Sequence, residues 1–169
     1  MVEQVKRALT SQYEASLCML KHCVEACRDE HYEGMIANGS FRYVAYHTLF
    51  FTDLYLTPSE NAFVLRDLHQ VGGDERGDHL SPGLPKDQLL AYVPICRDKA
   101  VDMMSRETEQ SLAGPSGFAW RKVPRLELHV YNIRHVQHHT GQLSAYLRRV
   151  DATIGQRRDA LKWIGWGWR

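Results

Sequence analysis

The chain has 169 residues, of which 44% are hydrophobic and 24% charged, a balance that suits one globular domain with a buried core. Lys and Arg total 21 against 20 Asp and Glu, so the formal net charge is +1 and there is no electrostatic case for nucleic acid or a membrane surface as partner. No stretch approaches the ~20 continuous apolar residues of a spanning helix.

The N-terminal residues lack an apolar run followed by a small-residue cleavage site, so a cytoplasmic protein is expected. The first helix is predicted from Val2 to about Glu30. Val5, Leu9, Ser16, Leu20, Cys23 and Cys27 recur at helical spacing on one face, with Cys18 on the opposite side. Gly34, Asn38 and Gly39 break the pattern. The second helix is predicted from Ser40 to Leu56, with a stripe of Tyr43, Val44, His47, Phe50, Phe51 and Leu54, and Pro58 ends it. The segment from Thr57 to Pro85 is irregular, with Gly72-Gly73, Gly77 and Pro82-Gly83, and reads as a functional cover or a mobile segment, with room for a short helical turn at Asn61–Leu68.

A third helix lies within Lys86–Ser105, where Pro94 marks either its start or a kink. Leu112–Trp120 reads as a loop, and a fourth long helix runs from Pro124 to Val150. A fifth, shorter helix is predicted over Thr153–Ile164, before an aromatic tail that begins at Trp163. Four main helices without alternating strand patterns give an all-α fold, a four-helix bundle forming a single domain over residues 1–169.

Nine histidines are many for this length. On the last long helix His135 and His139 are four residues apart, about 40° apart in projection, so two imidazoles from one helix can grip one ion. His138 projects toward Arg134 and Arg149 on the presumed solvent side, and His129 lies within the apolar sector of Leu126, Ile133, Val136, Leu143 and Leu147. His47 sits mid-stripe on the second helix, where burial demands a partner for its ring nitrogens. A lone buried histidine is more often a hydrogen-bonded core residue, and the pair lacks the Glu of a His-Glu-x-x-His protease motif because residue 136 is Val. Spacing alone therefore supports a metal site without naming its chemistry.

The stretch from Asn132 to Arg149, with His-x-x-x-His followed by Gly-Gln, resembles the last bundle helix of the DinB-like family. Val44-Ala-Tyr-His-Thr-Leu resembles that family's second helix, which carries its first ligand. The resemblance implies an up-down-down-up four-helix bundle, a metal triad mapping onto His47, His135 and His139, bound zinc or nickel, and a homodimer. The family includes bacillithiol S-transferases of the YfiT-like branch and is related to mycothiol-dependent isomerases. A metal-dependent thiol S-transferase is thus expected, acting on a low-molecular-weight thiol and a small electrophile. The alternatives are a non-catalytic, stress-associated metal-binding dimer and a metal-dependent hydrolase.

His138 and Tyr146 are the candidate catalytic residues beside the triad. Cys23, Cys27 and His31 are spaced by four, but a core role for the cysteines is the stronger reading. Asp53 lies off the His47 face, which weakens the hydrolase alternative. The tail tryptophans read as packing residues, on the bundle or on a dimer partner.

Overall fold

Ser40 starts the helix that carries the first histidine. Its extended backbone lets the side chain accept a hydrogen bond from Tyr43 N at 3.1 Å, satisfying one of the free donors at a helix N-terminus. The computed structural model describes residues 1–36, 39–69, 84–157 and 161–168. Asn38, Gly72-Gly73, Gly77 and Pro82-Gly83, noted in the sequence, lie outside the described residues.

The described residues are mostly helical: α1 (Val2–Ala26), α2 (Asp29–Tyr32), α3 (Phe41–Tyr55), α4 (Lys86–Arg106), α5 (Glu109–Ala113) and α6 (Arg125–Val150). A small antiparallel ladder joins β1 (Met35–Ile36) to β2 (Gly39–Ser40), with Met35 opposite Ser40 and Ile36 opposite Gly39. Three 3-10 turns, at Glu60–Ala62, Asp67–His69 and Ile154–Gln156, complete the regular structure.

The long helices pack in a ring: α1 against α4 and α6, and α3 against α4 and α6. Between α1 and α4 the pairs run in opposite chain order, Lys6 with Ser105 and Glu14 with Arg97. Between α1 and α6 they run in the same order, Tyr13 with His129 and Cys23 with Thr140. Asn132 donates to Thr52 O at 3.2 Å and Tyr146 packs on Phe41, so α3 and α6 pair in opposite order. Leu49 with Cys96 and Asp53 with Lys99 pair α3 and α4 in the same order. The main core gathers where these faces meet, around Leu20, Phe50, Leu89, Val136 and Leu147.

Several expectations need correction. Helix α4 begins at Lys86, so Pro94 lies inside it rather than at its start, and part of the loop at Leu112–Trp120 is claimed by α5, whose Thr108–Ser111 capping box fixes its start. The helix expected over Thr153–Ile164 is, among the described residues, only the 3-10 turn Ile154–Gln156 and irregular chain from Leu161. That irregular tail explains a second difference. Gly167 N donates to Ser11 O at 3.1 Å and Gln12 Nε2 to Gly165 O at 3.0 Å, laying Ile164 over Ala15 and Cys18. Cys18, expected on the outer side of α1, is therefore completely buried under the tail. Trp168 stacks with Arg97, whereas Trp163 and Trp166 are exposed.

Two glycines are fixed by close approach. A Cβ on Gly34 would run into the Tyr146 hydroxyl. Gly117 has φ +89°, and a Cβ there would also meet the Pro58 carbonyl, so this turn between α5 and α6 requires glycine. No described helix is long and apolar enough to cross a membrane.

Candidate metal centre

The inner stripe of α3 and the adjoining face of α6 bring three imidazoles together. Ring centroids are 5.5 Å apart for His47 and His135, 5.1 Å for His47 and His139, and 4.6 Å for His135 and His139. One nitrogen from each lies within 4.8 Å of the others, a grouping that can hold one ion. All three side chains are half-buried. Phe51 packs against His47 at 4.7 Å and His135 at 6.1 Å, while Tyr131 stacks parallel to His135 at 6.4 Å.

The rings suit a metal by protonation state as well as by position. Burial, followed by repulsion from His139 and His47, pushes the His135 pKa down to about 2. Burial lowers His139 to about 4, against the opposing hydrogen bond to Gln142. Both imidazoles are thus neutral at pH 7, the form that ligates. His139 Nδ1–H donates to Gln142 Oε1 at 2.8 Å, which leaves Nε2 with the free lone pair. His135 Nδ1 is buried with no hydrogen-bond partner among the described residues. A bound ion would supply the missing interaction at a ring whose second nitrogen is otherwise unsatisfied. The donor set, three imidazole nitrogens, fits zinc or nickel.

The triad lies on the wall of a cavity of about 710 Å³. Phe51, Tyr55 and Tyr131 form its aromatic side, and Arg121, Arg134, Gln137 and His138 its polar side. None of these described lining residues is a carboxylate. Exposed His138 therefore sits at the site, with its ring 5.0 Å from that of His139. Tyr146 does not line this cavity; its hydroxyl donates to His31 O at 3.2 Å.

Arg121 escaped the sequence reading because it sits in the α5–α6 loop, where no periodicity marks it. Asp53 was read correctly as off the His47 face, but it is not a solvent-side residue. It is fully buried and accepts from Tyr92 at 2.8 Å, with ion pairs to Arg66 and Lys99. This clasp joins α3 to α4 and to the chain before His69, and it accounts for the carboxylate without any role at the triad.

The four cysteines form no disulfide with one another, and all are buried. Burial pushes Cys23, Cys27 and Cys96 up to about 12. His31, expected as a weak third member beside Cys23 and Cys27, forms no metal-sized cluster with them among the described residues. Native protein mixed with a disulfide dye at pH 8 is accordingly expected to release almost no colour until denaturant is added. Rapid labelling of the native state would contradict this burial.

Comparison with curated proteins gives no match, and comparison with solved structures gives none either. The family model described as DinB family matches residues 19–155, a span that takes in both ligand-bearing helices. The histidine geometry and this match agree, and the chain belongs to the DinB family.

Proposed function

We propose that His47, His135 and His139 bind one divalent ion, zinc or nickel, and that the protein is a metal-dependent thiol S-transferase. The observation that carries this reading is the position of the triad on the wall of the 710 Å³ cavity. A structural site is closed by its ligands, whereas a catalytic one keeps a position open to substrate. When bound, such an ion lowers the pKa of a coordinated thiol, so that thiolate exists at neutral pH.

The chain's own residues perform the remaining tasks. Its three imidazoles hold the site, and Gln142 orients His139. Phe51, Tyr55 and Tyr131 present apolar faces that limit water around a bound substrate. His138, on the cavity wall, would take the proton released by the thiol. The nucleophilic sulfur comes from the substrate, because the four protein thiols are buried. It forms a carbon–sulfur bond to the electrophile, and the displaced group leaves with the electron pair of the broken bond.

A hydrolase is less well supported, since the described cavity wall offers no carboxylate as general base. A non-catalytic metal-binding dimer would have no use for an adjoining cavity. The proposal extends to one domain over residues 1–169, an up-down-down-up order of α1, α3, α4 and α6, a homodimer and a cytoplasmic location. The order of the cross-helix pairs supports the topology.

Cobalt-substituted protein titrated with 2-mercaptoethanol tests the function. New sulfur-to-cobalt charge-transfer absorption is expected as the thiol enters the open position. A cobalt spectrum indifferent to the thiol would overturn the transferase reading and leave a sealed metal site.

A further inference from the structure

We infer that the cavity beside the triad recognises a small ligand bearing a carboxylate, with Arg121 as the residue that grips it. This rests on the reading of the triad as an open metal centre, and it names the class of substrate that centre would serve.

The cavity wall is positively biased. It carries Arg121 and Arg134, and its described residues include no Asp or Glu. Several arginines elsewhere meet acids: Arg66 pairs with Asp53, Arg97 with Glu14, and Arg125 with Glu107. Among the described residues neither Arg121 nor Arg134 forms an ion pair.

Arg121 is also held in place. Its guanidinium lies 4.5 Å from the centre of the Tyr131 ring and 6.0 Å from that of Tyr55, and Nη2 donates to the Tyr131 hydroxyl at 2.7 Å. The backbone around it is pinned: Arg121 N donates to Phe118 O at 3.0 Å, and the Ser116 hydroxyl donates to Arg121 O. Arg121 Nε is buried with no hydrogen-bond partner among the described residues. A buried guanidinium N–H without an acceptor is costly, and a carboxylate matches its planar fork in two parallel hydrogen bonds. Tyr131, which Arg121 covers, in turn stacks on His135. One aromatic ring thus separates the cationic anchor from the metal ligands, a spacing suited to a short molecule with a metal-binding group at one end and a carboxylate at the other.

Three probes separate this inference from the reading beneath it: 2-mercaptoethanol carries the thiol alone, glutarate the carboxylates alone, and 3-mercaptopropionate both. The first readout is the arginine Nε–Hε region of the NMR spectrum of zinc-loaded protein, with Arg121 identified by through-bond assignment. Its signal is expected to move with glutarate and 3-mercaptopropionate and to ignore 2-mercaptoethanol. The second readout is thiol affinity from the cobalt spectrum. Wild type is expected to prefer 3-mercaptopropionate over 2-mercaptoethanol by about tenfold or more, as suits a charge-assisted fork. Arg121→Gln should remove that preference while keeping the wild-type affinity for 2-mercaptoethanol. An Arg121 signal that ignores both carboxylates, or a preference that survives in Arg121→Gln, would overturn the inference. Should the variant fail to fold, the wild-type NMR titration decides alone. If neither thiol perturbs cobalt but glutarate still moves Arg121, the thiol transferase reading fails and the carboxylate site stands.

Discussion

Wild-type protein equilibrated with zinc or nickel and then desalted is expected to retain about one ion per chain, and His135→Ala almost none. His135 contacts both of the other rings, and burial followed by repulsion from His139 and His47 pushes its pKa down to about 2. Its removal leaves two donors and an opening on the inner side of the site. Loss of a residue that only orients a ligand typically weakens metal affinity by about 10–100-fold, so loss of a ligand should exceed that range. Gln142→Ala, which frees His139 Nδ1, belongs within it. Thermal unfolding gives the control for misfolding. The metal-free forms of wild type and His135→Ala should melt at similar temperatures, because His135 Nδ1 has no hydrogen bond to lose. Added metal should raise only the wild-type midpoint, since an ion that binds the native state alone stabilises it by mass action. Full stoichiometry in His135→Ala would remove this residue from the ligand set. A wild-type protein that takes up neither metal would remove the site altogether.

The parts of this architecture that sequence made visible share a physical cause. Helices α1, α3, α4 and α6 are long and amphipathic, so repeated apolar spacing marks them, and His135 and His139 inherit their alignment from that spacing. His47 stood out because a polar ring mid-stripe must find a partner. What stayed hidden depends on contacts between distant segments. Cys18 looked exposed on its helix and is covered by a tail nearly 150 residues away in sequence. Leu126, assigned to the apolar sector of α6, is exposed, while Asn132 occupies the inner face because the Thr52 carbonyl on α3 accepts from its side chain. Arg121 and Asp53 gain their meaning from neighbours on other elements, two tyrosines for one and two cations for the other. Periodicity describes one helix at a time and is blind to such pairings.

The strongest effect on stability is expected at Glu107, just beyond the C-terminus of α4. Its carboxylate accepts from Arg125 Nε at 3.0 Å and from His129 Nε2–H at 3.1 Å, with a further bond from the Ser111 hydroxyl. His129 Nδ1 in turn accepts from the Tyr13 hydroxyl at 3.1 Å, so one buried network ties α1, α4, α5 and α6. Burial alone would raise the Glu107 pKa, but the hydrogen bonds from His129, Ser111 and Arg125 outweigh it and hold the group at about 2. Glu107→Gln leaves the Arg125 guanidinium buried without its counter-charge, which should destabilise the fold by about 3 kcal/mol and lower Tm by roughly 6–12 °C. The pH dependence follows from the direction of each shift. A carboxyl depressed on folding contributes stability that is complete above its unfolded pKa, near 4.5, and is lost as pH falls toward 2. His129, depressed by burial, and the half-buried rings of His135 and His139 lose their contributions earlier, as pH falls below 6.5, because the unfolded chain takes up protons first. Metal-free wild type should therefore weaken in two stages during acidification. Glu107→Gln should keep the first stage and flatten the second, which denaturant unfolding between pH 7 and pH 3 can measure. An unchanged acid limb in that variant would show that the buried network is held together by something other than the Glu107 charge.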